Sequence, residues 1–86
     1  MSTYLVVQAM DYKTDPESFK VCYNRHAVES ELIDYGYMEN PAVQVYNVPV
    51  GVDPHDYAYS LAGDVDPYPD WIVERGPRGG VKWERA

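Results

Sequence analysis

The apolar positions of the chain fall into five strand-like stretches and two helix-like ones, in the order β-β-α-β-α-β-β. Thr3–Met10 is apolar on both alternating sets, with Leu5, Val7 and Ala9 on one side and Tyr4, Val6 and Met10 on the other. Only Gln8 interrupts it, which is how an interior strand reads. Asp11–Ser18 is a polar connection with Asp15-Pro16 as its turn signal. Phe19, Val21 and Tyr23 then alternate with Lys20, Cys22 and Asn24, a half-buried strand expected to form a hairpin with the first. Ala42–Val48 is β-branched and reads as the third strand; Pro49 cannot donate to a ladder, so the strand ends there or lies at an edge.

Two helices are marked by their ends. Asn24 suits an N-cap, and Val28, Leu32 and Tyr35 follow at i, i+4 and i+7 within Arg25–Tyr35. Glu29, Ser30, Glu31 and Asp34 are expected to face water; Gly36 stands at the C′ position, and Pro41 blocks continuation. Asp53-Pro54 supplies a cap followed by proline at the first helical position, Tyr57 and Leu61 share a face, and Gly63 closes a short second helix. Asp64–Asp70 holds two prolines and reads as an extended loop.

The C-terminus predicts a hairpin, with Trp71–Arg75 and Val81–Arg85 flanking Gly76–Gly80. If Arg75 faces Val81, then Glu74 meets Lys82, Val73 meets Trp83 and Trp71 meets Arg85. The expected pairs are an ion pair, an aromatic on a β-branched residue and a cation over a ring. The fold class is therefore α+β: a small single domain, residues 1–86, with an antiparallel or mixed sheet of about five strands and one main helix across a face.

Size and composition change this picture in one respect. A chain of 86 residues buries only about 60–65% of its unfolded surface. A lone Cys22 allows no internal disulfide, and no Cys/His zinc spacing is present. Aromatics, nine of them Tyr, must carry much of the burial, and self-association into a homodimer is a second route to stability. The first ten residues have neither the charge nor the apolar length of a signal peptide or membrane span, which leads us to expect no membrane partner. A free cysteine favours a reducing interior, so the expected compartment is cytoplasm, of the producing or host cell.

Charge is what singles the chain out. The net is −7, and residues 53–70 alone contribute five aspartates, three tyrosines and no Lys or Arg. Asp53, Asp56, Tyr57, Tyr59, Asp64, Asp66, Tyr68 and Asp70 are thus the candidate partner-binding residues. Carboxylates repel phosphate backbones and attract basic surfaces, and tyrosine offers rigid contact area at small entropic cost. The bland alternative is that these rings only cover a core too small to hide aliphatics. Arg75, Arg78, Lys82 and Arg85 form a secondary basic tip, which could present Arg78 to a phosphate. With a pI of about 4.5 the chain lacks the basic footprint of a nucleic-acid binder, so direct nucleic-acid binding is not expected.

No constellation suggests chemistry. Asp64, Asp66 and Asp70 give D-x-D-x3-D, but a calcium loop turns on Gly and closes with Glu, whereas here Pro67 and Pro69 stiffen the chain. No metal and no cofactor is expected. Cys22 and His26 lack a third member to orient a base. His55 beside Asp56 reads as a surface residue, so no catalytic residue is assigned. In size, acidity and lack of catalytic motifs the chain resembles the small accessory proteins that bacteriophages direct against host machinery, a resemblance of type carried by no family motif. The expectation is a non-enzymatic acidic module that engages a protein partner with a basic surface, such as one that handles nucleic acid, by charge mimicry. The rival expectations are an assembly subunit acting through the Val43–Val48 or C-terminal strand edges, and a ligand binder or enzyme with its site between subunits, using His26, His55 or Cys22.

Overall fold

A computed structural model describes residues 2–8, 15–34, 42–64, 67–76 and 78–86, of which Ile33 and Asp34 are described by backbone alone. Its elements are β1 (Thr3–Gln8), a 3-10 turn (Pro16–Ser18), β2 (Lys20–Cys22), α1 (Arg25–Asp34), β3 (Ala42–Val48), α2 (Pro54–Ala62), β4 (Trp71–Arg75) and β5 (Val81–Arg85). The strands make one sheet in the order β2-β1-β3-β4-β5 with every neighbour antiparallel. The α+β class and the element order read from the sequence hold, and the sheet is antiparallel rather than mixed.

The registers assign every strand residue to a face. Tyr4 pairs with Cys22, Val6 with Val45, Val43 with Val73 and Val73 with Trp83, so these residues share one face. Val28 and Leu32 of α1, both fully buried, close over it. Leu5, Val7, Tyr46 and Val48 alternate onto the other face, where Phe19 joins them and Ala58 and Leu61 of α2 pack down. A helix on each side explains why Leu5, Val6 and Val7 are consecutive and all at most 2% exposed: β1 has no solvent face.

The helix caps are as the sequence marks them. Asn24 Oδ1 accepts from the Ala27 amide at 2.7 Å, and Asp53 Oδ1 accepts from the His55 and Asp56 amides at 2.9 and 3.2 Å. Asp15 caps the 3-10 turn in the same way, accepting from the Glu17 amide at 3.0 Å. Two glycines are demanded by backbone conformation. Gly51 and Gly79 both have φ +84°, Gly51 in the turn from β3 to α2 and Gly79 in the β4–β5 hairpin, where a side chain would be strained.

Four expectations are revised. β3 is not an edge: it lies between β1 and β4, and the chain merely leaves the sheet at Pro49, so assembly through Val43–Val48 is closed off. Gly63 closes α2 as expected, at φ −81°, inside the right-handed region, so the closure does not use glycine's freedom. Tyr23 is 60% exposed because β2 stops at Cys22 and the alternation stops with it. Glu31 does not face water freely; it is half-buried, with Lys20 Nζ 3.2 Å from its Oε2. Finally, the C-terminal register is the one expected, yet Lys82 pairs with Glu84 at 2.7 Å rather than with Glu74. Residues two apart on a strand share a face, and Glu84 is within reach of the ammonium. Tyr35, Gly36, Pro41, Ala9 and Met10 lie outside the described residues.

Candidate partner-binding groove and its acidic rim

Two Asp-Pro starts build the site. Asp15-Pro16 begins the 3-10 turn and Asp53-Pro54 begins α2, and the aspartate in each case caps the amides that follow. The turn and the helix pack beside one another on the β2 side of the sheet, leaving an open groove of about 380 Å³ between them. Leu5, Phe19, Val21 and Ala58 form its floor, while Pro16, Glu17, His55 and Tyr59 form its walls. The floor is the margin of the core on the α2 face. Glu17 and Tyr59 are both exposed, Tyr59 by 67%.

The acidic and phenolic residues singled out by sequence divide by burial. On α2, Ala58 and Leu61 point inward and Tyr57 packs half-buried against the same core, so Tyr57 serves mainly the fold. His55, Asp56 and Tyr59 take the exposed arc. Asp53 is exposed at the N-terminus of the helix and Asp64 just beyond its C-terminus. Nine residues at ~1.5 Å each set the helix ends about 13 Å apart. Past the helix, Pro67 and Pro69 are buried and Tyr68 between them is turned out, 76% exposed. Tyr46, buried on the α2 face, donates its hydroxyl to the Pro67 carbonyl at 2.8 Å. Tyr68 therefore stands in the same layer as α2. Asp66 lies outside the described residues.

Asp70 has structural work. Its Oδ2 accepts from the Asn47 amide at 2.8 Å, its own amide donates to the Val45 carbonyl at 2.9 Å, and its carbonyl accepts from Ala86 at 3.3 Å. It ties the start of β4 to its neighbours on both sides, although the residue itself is exposed.

Of the four basic residues, Arg75, Arg78 and Lys82 sit toward the turn end of the β4–β5 hairpin and Arg85 at its base, and they do not share one face. Arg85 lies opposite Trp71 at the base of the hairpin, its guanidinium 5.1 Å from that ring. Arg75 is four strand positions away, about 13 Å. Arg78 occupies the turn, and Lys82 projects from the opposite face toward Glu84. Sequence reading missed Arg25, whose guanidinium stacks 4.2 Å over Trp83. Trp83 meets Trp71 and Tyr4 edge-on at 6.0 and 5.8 Å. Arg25, Arg75 and Arg85 thus all lie on the α1 side of the sheet, away from the groove.

The cysteine and histidines separate as well. Cys22 is buried among the residues under α1, and its thiol is pushed up to about 11, by burial first and then by Glu31, with Lys20 opposing. A thiol so placed is a poor nucleophile. His26 and His55 are exposed. Among the described residues no three His, Cys, Asp or Glu side chains come together as metal ligands. Among them, too, no helix is long and apolar enough to cross a membrane. No family model, curated protein or solved structure matches the chain.

What sequence reading missed is the groove itself, and Glu17 with it. The signal was a repeated grammar, Asp-Pro at 15–16 and at 53–54. It foretells two capped starts but not that they meet across Leu5.

Proposed function

We propose that the protein is a non-enzymatic binding module whose α2 side engages a protein partner with a basic surface. The observation that carries this reading is the open groove with an apolar floor and Glu17, His55 and Tyr59 on its walls. Asp15, Asp53 and Asp56 flank it at the starts of the two elements. A partner of fitting chemistry places one apolar side chain on the floor and cations around it. Apolar anchoring gives affinity, while the acidic surroundings set approach rate and selectivity. A protein that ordinarily holds nucleic acid has such a cationic face, and the −7 chain meets it as a polyanion would. Tyr59 is the exposed aromatic of the groove and Tyr68 a second ring in the same layer.

Capture from host extract tests the reading when done with paired variants. Wild type retains a partner that elutes as salt rises, because the Debye length falls to about 3 Å at 1 M. Glu17→Lys with Asp56→Lys loses it, and Arg78→Gln, remote from the groove, keeps it. Retention by the double-lysine variant, or elution indifferent to salt, would overturn the proposal.

A further inference from the structure

β5 is the last strand of the sheet, and no described element pairs with its outer side. Its backbone parity is fixed by two hydrogen bonds in register with the hairpin, Gly76 N–H to the Gly80 carbonyl at 2.9 Å and Ala86 N–H to the Asp70 carbonyl at 3.3 Å. In an antiparallel pair, bonded and non-bonded positions alternate. Lys82 and Glu84 therefore spend their backbone groups on β4, and Val81, Trp83 and Arg85 turn theirs outward. Five residues make a long open edge for so small a sheet. The opposite edge, β2, is three residues long.

An open edge accepts another strand, and the side chains of β5 say which. Only even register sums bring outward groups to outward groups when the strand meets itself antiparallel. Centred on Lys82, the pairing sets lysine against lysine; centred on Glu84, it sets glutamate against glutamate. Centred on Trp83, it sets Lys82 against Glu84 of the second copy and Glu84 against Lys82, with Val81 across from Arg85. Opposite charges directly across a sheet stabilise, and like charges destabilise. The intrachain contact between Lys82 and Glu84 then becomes half of a four-charge square on the α2 face. On the α1 face the backbones of the two Trp83 residues stand directly opposite one another, each ring lying inward over its own sheet, with Val81, itself 37% exposed, beside the seam. The strand also carries two cations and one anion, so two copies of an acidic chain approach here with least repulsion.

We propose that the protein forms a two-fold homodimer by antiparallel pairing of β5 with β5 about Trp83, joining two sheets into one of ten strands. The operator is closed, so growth stops at two. The groove beside β2 stays open at each far end of the joined sheet, and the dimer is independent of what that groove binds.

Sedimentation equilibrium with charge exchange tests this. The wild type is expected at twice the 9.8 kDa chain mass at micromolar to millimolar concentration. Lys82→Glu places Glu against Glu84, and Glu84→Lys places Lys against Lys82, so each single variant should dimerise at least tenfold more weakly. Both side chains are exposed, and circular dichroism checks that each variant folds. Mixing the two variants restores opposite charges at both positions, and a heterodimer should return to within a few-fold of wild-type affinity. The double exchange, Lys82→Glu with Glu84→Lys, should dimerise as the wild type does. A wild type that stays at 9.8 kDa at millimolar concentration overturns the proposal. So does growth beyond two copies, dimerisation of either single variant at wild-type strength, or a mixture that fails to rescue.

Discussion

Cys22 shows how a single position is governed by what covers it. It sits under α1 with its thiol held at about 11 instead of 9.0, because burial disfavours the thiolate and Glu31 adds to that, Lys20 partly offsetting. The folded value lies above the unfolded one. Stability from this group is therefore present in full below pH 9 and is lost as pH climbs toward 11. At about 1.4 kcal/mol per pKa unit, the loss is on the order of 3 kcal/mol. Urea unfolding of wild type and Cys22→Ala across that range should show a difference between them that shrinks as pH rises; a constant difference would mean the thiol titrates normally. Asp70 makes the contrasting case, an exposed carboxylate with fixed partners. Asp70→Asn weakens the bond to the Asn47 amide and should cost about 1 kcal/mol. Tyr46→Phe removes the bond to the Pro67 carbonyl and should cost about 1–2 kcal/mol in the same unfolding assay. If both variants unfold with the wild type, the tethering of residues 67–70 has been misassigned.

Among elements, the helices depend on their first residues. Asn24→Ala and Asp53→Ala each remove a cap and should each cost about 1 kcal/mol. Hydrogen exchange separates them: the first should loosen α1 alone and the second α2 alone, since the helices pack on opposite faces. Loosening of both by either variant would contradict two independent layers. These starts were legible in the sequence because capping is local, and the hairpin register was legible because three cross-strand pairs agreed on it. The strand order was not. Nothing near Ala42–Val48 announces that it inserts between β1 and β4, since a proline after a strand suits an edge as well as an exit. The salt bridge at Lys82 went astray for a similar reason. Pairing rules weigh residues across the ladder, whereas Glu84 reaches the ammonium along the strand. At the site, Asp53, Asp56 and Tyr59 were legible from composition. Glu17 and the groove were not, because they arise only where a turn and a helix distant in sequence come together over β1.

For the molecule as a whole, the sheet separates two chemistries. The α1 side stacks Arg25 and Arg85 on Trp83 and Trp71, while the α2 side carries the groove, its acidic flanks and the exposed Tyr59 and Tyr68. Tyr59→Ala should weaken partner binding about tenfold or more while leaving unfolding by urea within about 0.5 kcal/mol of wild type, because exposed positions contribute little to stability. The most direct test is an NMR titration of the labelled protein with short peptides that hold one Phe or Leu between lysines and arginines, alongside the same peptides with glutamate replacing the cations. The account predicts that the cationic set shifts the amides of Glu17, Val21, His55 and Tyr59, that the shifts fade with salt, and that the acidic set leaves them in place. Shifts clustered on the α1 face, or equal responses to both sets, would contradict it.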